Sequence, residues 1–171
     1  MIRSKTEEEI IVVLDNIRSS YNVGSIFRTA DAAGANKIYL CGITPYPPQH
    51  KISKVALGAE NYVAWEKVPS TWRLLEKLNQ KGYLIIALEQ GPKARNIFKI
   101  KNFKKKKIAL ILGPEVRGLS SAILRRTDLQ LEIPMAGKKE SLNVAVAFGI
   151  AIYQLENILF SEDRRYNKEK Q

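Results

Sequence analysis

The chain has 171 residues, of which 45% are hydrophobic, as expected for one globular domain of ordinary size. It carries 28 Lys+Arg against 17 Asp+Glu, a formal net charge of +11, so the expected partner is a polyanion. A single cysteine (Cys41) and a single histidine (His50) exclude an intrachain disulfide and a conventional zinc site, and we expect no metal. No apolar run approaches ~20 residues and the N-terminus has no signal-peptide h-region, so we expect a cytoplasmic protein without a membrane span.

Strand and helix patterns alternate from one end of the chain to the other. Helical spacing predicts helices over Val23–Ala33, Thr71–Lys81 (capped by Ser70, with Trp72 on its apolar face) and Asn143–Phe160. The loop Gly42–His50 holds three prolines, and we expect His50 to be exposed there. The alternation predicts an α/β fold with a mainly parallel sheet sandwiched by helices, in one domain over residues 1–171. Apolar, β-branched runs predict the strands Ile10–Leu14, Lys37–Cys41, Tyr83–Leu88, Lys107–Leu112 and Leu129–Met135.

The last predicted helix is apolar almost all the way round from Val144 to Ile152. A helix on the surface of a monomer shows a polar face, so this pattern predicts burial on both sides. In a domain of this size the second covering surface would come from another subunit, which predicts a homodimer. The alternative is a central helix buried within one chain.

The first informative turn follows the first predicted strand. Asn22 stands where a helix N-cap belongs, and Gly24 keeps the first turn slim enough for a ligand to approach. Arg28 is expected near the same helix start, where it opposes the helix dipole and would be balanced by an anion. The alternative is an ordinary capped helix with a surface arginine.

The second turn, Gly113 to Gly118, has the G-x-x-x-x-G spacing of a phosphate-binding loop. However, Leu119 occupies the place of the P-loop lysine, and Glu115 puts a negative charge inside the cradle. A nucleoside triphosphate would be repelled, so the pattern predicts a glycine-rich loop for a small ligand that is not an anionic phosphate.

The third turn carries Lys138 and Lys139 and leads to Ser141, a natural N-cap, and Asn143, whose amide can hydrogen-bond into the same space. All three turns follow predicted parallel strands. Since open α/β sheets bind ligands at the carboxyl ends of their strands, we expect the turns to form one site.

Together these segments resemble the motifs of the SpoU/TrmH branch of the SPOUT methyltransferases. N-x-G-S-I-x-R-T-A at Asn22–Ala30 resembles the first motif, and L-G-P-E-x-x-G-L at Leu112–Leu119 resembles the second. I-P-M-x-G-x-x-x-S-L-N-V at Ile133–Val144 resembles the third. Order and spacing agree, and the resemblance spans essentially the whole chain.

The resemblance implies an S-adenosylmethionine-dependent RNA methyltransferase that acts on a ribose 2′-hydroxyl of tRNA or rRNA. It also implies a SPOUT fold with a deep C-terminal trefoil knot over about residues 113–155, an exception to the rule that chains do not thread loops. The implied assembly is a homodimer with the cofactor in the knot, near the subunit interface.

The resemblance also assigns site residues. Arg28 would be the catalytic arginine, with Asn22 positioning it or the RNA; Glu115 would face the active site, and Ser141 and Asn143 would hold the ribose and the arginine. A guanidinium with a pKa above ~12 is a poor base, so we expect Arg28 to stabilise the developing 2′-alkoxide while a phosphate or water takes the proton. The implied cofactor-binding residues are Leu88, Glu89, Gly113, Gly118, Ile133, Met135 and Leu142.

Basic residues provide the expected RNA contacts. The segment Phe98–Lys107 has six lysines and no acid, and the basic tail at 161–171 adds further cations. We predict that RNA-backbone contacts involve Lys104, Lys105, Lys106, Lys138 and Lys139, and that RNA affinity falls steeply with salt. The alternative for the lysine run is a solvated segment.

Two other functions remain compatible with the sequence. One is a non-catalytic RNA-binding protein that keeps the fold and the charge. The other is a base methyltransferase of the same superfamily, although the Ser-Leu-Asn of the third motif favours ribose. Whether tRNA or rRNA is the substrate is left open.

Overall fold

A parallel sheet of seven strands organises residues 8–160, the part of the chain that this computed structural model describes. The strand order is β3-β2-β1-β6-β4-β7-β5, and every neighbouring pair is parallel. The predicted α/β class with a parallel sheet is confirmed. The strands are β1 Glu9–Asp15, β2 Lys37–Cys41, β3 Trp65–Val68, β4 Leu84–Leu88, β5 Arg95–Asn96, β6 Lys107–Leu112 and β7 Leu129–Glu132.

Helices cover both faces of the sheet. The first face packs against α1 (Ser20–Ala33), α2 (His50–Ala56) and α5 (Val144–Leu159), and the second against α3 (Thr71–Gln80) and α4 (Ser121–Leu124). In β1, Val12 and Leu14 point into the first core while Ile11 and Val13 point into the second. A strand buried on both sides must be apolar at consecutive positions, which is why this segment shows no polar alternation. Short 3₁₀ turns lie at Ala59–Asn61 and Ile97–Lys99.

The start of α1 differs from the prediction. The N-cap is Ser19, whose hydroxyl accepts a hydrogen bond from the Asn22 amide at 3.3 Å, so the assignment of Asn22 as N-cap is wrong. Because the helix begins three residues before Val23, Arg28 lies more than two turns inside it. The expectation that Arg28 opposes the dipole at a helix start is therefore also wrong.

The cap of α5 differs in the same way. Asn143, not Ser141, is the N-cap, because its side-chain oxygen accepts from the amides of Ala145 and Val146. At α3, Ser70 occupies the N-cap position but its hydroxyl makes no capping bond. Trp72 is 41% exposed and lies outside the buried face, which Thr71, Leu74, Leu75 and Leu78 form.

Other boundaries shift by a few residues. The last predicted strand ends at Glu132 instead of Met135, and the loop after β2 ends where His50 begins α2, with His50 exposed as expected. The sequence patterns missed α2, β3 and the two-residue β5. No helix within residues 8–160 is long and apolar enough to span a bilayer.

One side of α5 faces the first core through Phe148, Ala151, Ile152 and Leu155. Its other side leaves Val146 52% and Tyr153 49% exposed, and the partly exposed Gly149 and Ile150 lie between them. The single chain therefore covers only one side of this apolar helix, and the prediction that a partner subunit covers the other stays a prediction.

Candidate functional site

The strand order brings the three turns together. Strands β1, β6, β4 and β7 are consecutive neighbours, and since all are parallel their carboxyl ends share one edge of the sheet. The turn before α1, the loop at 113–119 and the loop leading to α5 all leave this edge. The three turns therefore lie at one edge of the sheet, as the sequence predicted.

Side chains from these three turns form a hydrogen-bonded series. Asn143 Nδ2 donates to Asn22 Oδ1 at 3.1 Å, and Asn22 Nδ2 donates to Glu115 Oε1 at 2.7 Å. The donor and acceptor roles in this series are fixed by Asn143. Its Oδ1 accepts from the first amides of α5, so only its Nδ2 is left to bond to Asn22, and Nδ2 must donate. Asn22 must then accept with its oxygen and donate with its nitrogen to the carboxylate.

The loop at 113–119 is held in shape by Glu89, at the end of β4. Glu89 Oε2 accepts from the Leu119 amide at 2.7 Å, and the Gly118 amide donates to Pro114 O at 2.9 Å. Gly118 has φ +63, and a Cβ there would lie 2.6 Å from Glu89 Oε2. A Cβ on Gly113 would lie 2.8 Å from the Leu119 backbone nitrogen. Both glycines are therefore required by the way the loop folds back on itself.

A cavity of about 390 Å³ opens beside this loop. Its wall carries four carboxylates (Glu89, Glu115, Glu132, Glu140) and, among its lining residues within 8–160, one cationic side chain, that of Arg117. Such a wall favours a cationic ligand over a polyphosphate. The lining includes Ser141, Glu115 and all seven residues implied for cofactor binding: Leu88, Glu89, Gly113, Gly118, Ile133, Met135 and Leu142.

Arg28 lies apart from the hydrogen-bonded series. It is six residues beyond Asn22, which places it about 120° around the axis of α1 and about 9 Å along it. Its side chain is exposed and makes no hydrogen bond or ion pair within residues 8–160. Its neighbour Thr29 faces Gly149 of α5, with 3.8 Å between the Thr29 methyl and a Cβ built on that glycine. Arg28 lies about 100° further round α1 and faces solvent.

The basic residues fall into two groups. Lys138 and Lys139 are exposed in the loop after β7, at the same edge as the cavity. Lys104, Lys105 and Lys106 precede β6 and lie at the opposite edge, about 16 Å away along a six-residue strand. Lys106 pairs with Glu8 at 3.0 Å, and Lys105 Nζ donates to Tyr83 O at 3.1 Å. The predicted tail contacts at 161–171 lie outside the described residues.

Sequence reasoning missed a buried polar cluster behind the first turn. Asp15 Oδ1 accepts from Thr71 Oγ1 at 2.5 Å and from Asn16 Nδ2 at 3.0 Å, and burial raises the pKa of Asp15 above its usual 3.8. Lys67 Nζ donates to the carbonyl oxygens of Gly42 and Thr44, both at 2.6 Å, and burial lowers its pKa. An Asp-Asn pair at a strand end was the only available signal.

It also missed Arg117, Glu132 and Glu140 in the cavity wall. Arg117 and Glu140 lie on loops with no periodic pattern, and Glu132 is the last residue of β7, so only the folded chain identifies them as part of the cavity wall. No group of three or more His, Cys, Asp or Glu side chains with the arrangement of a metal site occurs within 8–160.

Residues 9–153 match the model of the SpoU rRNA Methylase family. The chain is 30% identical over 151 residues to the "Putative TrmH family tRNA/rRNA methyltransferase YacO" of Bacillus subtilis, covering 88% of this chain and 59% of that protein. It is 30% identical to the "tRNA (guanosine(18)-2'-O)-methyltransferase" of Aquifex aeolicus, covering 91% and 72%. It is 33% identical to the "23S rRNA (guanosine-2'-O-)-methyltransferase RlmB" of Ralstonia nicotianae, covering 85% and 57%.

Solved structures show the same fold. The AdoMet-bound rRNA methyltransferase of Sinorhizobium meliloti superposes with a TM-score of 0.82 at 30% identity, covering 89% of this chain and 57% of that one. A structure described as "Structural insights into the 2-OH methylation of C/U34 on tRNA" has a TM-score of 0.78 at 26% identity, covering 91% and 99%. The chain thus spans about three fifths of the Bacillus and Ralstonia relatives but nearly all of this last neighbour.

Proposed function

This chain belongs to the SpoU rRNA Methylase family, and we propose that it transfers a methyl group from S-adenosylmethionine to a ribose 2′-hydroxyl of tRNA or rRNA. The observation that carries the proposal is the hydrogen-bonded series of Asn143, Asn22 and Glu115, built from three separate turns beside the cavity. The names of the relatives from Aquifex aeolicus and Ralstonia nicotianae, both 2′-O-methyltransferases, support the choice of ribose.

The cavity wall suits S-adenosylmethionine. Its volume of about 390 Å³ is within the usual range of ~300–1,000 Å³ for small-molecule sites. Four glutamates favour the positive sulfonium centre, and no lysine of residues 8–160 lines the cavity to select a phosphate instead. When bound, the cofactor supplies an electrophilic methyl group. Glu89 and Gly118 would shape the loop around it, and the residues that would contact it are Leu88, Gly113, Ile133, Met135 and Leu142.

The polar series would orient the ribose. Ser141 has an exposed hydroxyl, and Asn22 and Asn143 present amide groups whose directions are already fixed by their partners. Preset hydrogen-bonding groups lower the cost of placing the ribose oxygen in line with the methyl group. Glu115 holds the Asn22 amide in place by accepting its hydrogen bond, so the Glu115 carboxylate also lies beside the expected ribose position.

Arg28 would stabilise the developing 2′-alkoxide. In one chain it lies outside the series, with its side chain exposed. We also propose a homodimer in which a partner subunit covers the exposed side of α5. Val146 and Tyr153, both about half exposed, are the apolar contacts that such an interface would bury.

The rest of the family organisation follows as part of this proposal. We infer that the segment of about 113–155 forms a trefoil knot, which is an exception to the rule that chains do not thread loops. We also propose that the protein acts in the cytoplasm, where its RNA substrate is found.

Lys138 and Lys139 would hold RNA phosphates next to the reacting nucleotide, whereas Lys104, Lys105 and Lys106 would hold a more distant part of the RNA. Replacing Lys138 and Lys139 by serine should make the slope of log affinity against log salt shallower by about 0.7–0.9 for each phosphate that is no longer neutralised. If the slope does not change, these lysines do not contact the backbone.

Purified protein, methyl-labelled S-adenosylmethionine and total RNA provide the test. Label recovered in a 2′-O-methylnucleoside supports the proposal, and label in a base would identify a base methyltransferase instead. Wild-type protein that binds RNA but transfers no label would identify a non-catalytic RNA-binding protein. The Arg28→Ala variant should keep its affinity for the cofactor and lose transfer, which separates Arg28 from the residues that line the cavity.

A further inference from the structure

We propose that Arg117 binds the carboxylate at the amino acid end of S-adenosylmethionine, and so selects this ligand over cationic analogues that lack the carboxylate. The inference rests on the proposed function in that it takes the ligand of the cavity to be S-adenosylmethionine. It adds the side chain that recognises the one negative group of that ligand.

Arg117 lies in a turn whose backbone is held on both sides. The Gly118 amide donates to Pro114 O at 2.9 Å, which closes the segment between these two residues into one turn. Directly after the turn, the Leu119 amide donates to Glu89 Oε2 at 2.7 Å. The backbone of Arg117 is therefore fixed, and its side chain belongs to the wall of the cavity.

The guanidinium of Arg117 has no partner among the residues that the structure describes. It is exposed and makes no hydrogen bond or ion pair within 8–160, although four carboxylates share the same wall. Two of these carboxylates have other partners, because Glu115 accepts from Asn22 and Glu89 accepts from the Leu119 amide. A guanidinium presents a planar fork of donors that matches a carboxylate with two parallel hydrogen bonds. Arg117 is thus available for an anionic group of a bound ligand.

The charges of the wall match those of S-adenosylmethionine. The wall carries four carboxylates and, among its lining residues within 8–160, the single guanidinium of Arg117. The ligand carries two positive groups, the sulfonium and the α-ammonium, and one carboxylate. Acidic side chains attract the two cations but repel the carboxylate, so a wall without Arg117 would favour an analogue that lacks this group. Arg117 supplies the charge that reverses this preference.

An RNA phosphate is the other anion that an exposed arginine could bind. The ligand carboxylate is favoured because Arg117 lines the cavity itself. Lys138 and Lys139 are exposed at the same edge of the sheet and are not part of the cavity lining, so they offer phosphate contacts outside it. Measurements without RNA separate the two ligands.

Isothermal titration calorimetry without RNA tests the proposal with S-adenosylmethionine and decarboxylated S-adenosylmethionine, which differ only in the carboxylate. We expect the wild type to bind S-adenosylmethionine more tightly. Arg117→Ala should weaken S-adenosylmethionine by about 10-fold, because hydrogen bonds between two charged groups are lost. The same variant should bind the decarboxylated ligand as tightly as the wild type or more tightly, because a cation is removed from the site of a doubly positive ligand.

Two further variants control for charge and geometry. Arg125→Ala removes the same charge from an exposed arginine that ends α4 and lies outside this cavity wall, so it should bind both ligands as the wild type does. Arg117→Lys keeps the charge without the planar fork and should retain part of the preference for S-adenosylmethionine. If Arg117→Ala weakens both ligands equally, Arg117 only shapes the loop. If it changes neither affinity, Arg117 does not contact the ligand, and either result overturns the proposal.

The failure of this inference is distinguishable from that of the proposed function. If the wild type methylates RNA but Arg117→Ala binds both ligands as the wild type does, the role of Arg117 is refuted alone. If the wild type transfers no methyl group yet loses its preference for S-adenosylmethionine in Arg117→Ala, the role of Arg117 stands and the methyltransferase proposal is refuted.

Discussion

Replacing Gly118 by alanine tests whether the shape of the 113–119 loop builds the cofactor cavity. Gly118 has φ +63, and the new methyl group would lie 2.6 Å from Glu89 Oε2. That oxygen accepts the Leu119 amide hydrogen bond at 2.7 Å, so the substitution affects the backbone and its anchor together. Both effects act on the wall of the cavity.

The magnitude can be separated into two parts. An alanine in the left-handed region costs about 1–2 kcal/mol. Displacing a hydrogen bond to a charged carboxylate costs a further ~1.5–3 kcal/mol, giving a total of about 2.5–5 kcal/mol. Because the displaced groups line the cavity, the affinity for S-adenosylmethionine should fall as well. Each ~1.4 kcal/mol of binding free energy that is lost lowers this affinity about 10-fold.

Three other glycines provide controls. Gly82 has φ +84 and no atom within 4 Å of a built Cβ, so Gly82→Ala isolates the backbone cost. Gly113→Ala isolates the steric contact, since φ there is not positive and the Leu119 nitrogen lies 2.8 Å away. Gly137 has neither constraint, and its alanine variant should unfold like the wild type.

Urea unfolding and calorimetric titration with S-adenosylmethionine measure the two quantities. The expected order of destabilisation places Gly118→Ala above Gly82→Ala, with Gly137→Ala near zero. If Gly118→Ala is no less stable than Gly82→Ala, the Glu89 contact does not hold the loop. If it is destabilised but binds the cofactor with wild-type affinity, the loop is structural and does not build the cavity.

Three further predictions concern the polar groups. Asn22→Ala and Asn143→Ala should each lower kcat on the order of 100-fold. The double variant should lower kcat little further, because either single change already breaks the series. Additive losses in steady-state kinetics would show that the two residues act independently. Burial raises the pKa of Asp15, so its ionisation opposes folding as the pH rises through that pKa. The Asp15→Asn side chain can still accept from Thr71, and the free energy of unfolding of this variant in urea should rise relative to that of the wild type between acid and neutral pH. A difference in unfolding free energy that does not depend on pH would contradict this. Burial also raises the pKa of the Cys41 thiol to about 12, so iodoacetamide should label it only after unfolding, as mass spectrometry would show; rapid labelling of the native protein would be the contrary result.

The fold class followed from the sequence because strands buried on both faces are apolar at every position. β2 and β6 have the predicted limits, and their apolar runs end abruptly at Gly42 and Gly113. β5 has two residues, too few for any period, and its place at the sheet edge depends on pairing with β7. Such elements are determined by tertiary contacts that no local pattern contains.

Helix starts were less predictable because several polar residues compete for each cap. Ser19 and Asn22 both suit an N-cap, and so do Ser141 and Asn143. In the folded chain Ser19 and Asn143 take the caps, which leaves Asn22 to join the series to Glu115. The sequence motifs predicted Glu115, Ser141 and the seven residues implied for cofactor binding, all of which line the cavity. The position of Arg28 apart from the series, and the hydrogen bonds that join Asn143, Asn22 and Glu115, required the three-dimensional structure.

Alkaline hydrolysis of the labelled RNA tests the central proposal most directly. Cleavage by alkali uses the ribose 2′-hydroxyl as the nucleophile, so a nucleotide methylated at that oxygen resists it. We expect the label transferred by the wild type to be recovered entirely in alkali-resistant dinucleotides, and the Asn22→Ala protein to yield at most about a hundredth of that amount per unit time. Label recovered in single nucleotides would place the methyl group on a base and contradict a ribose-specific site.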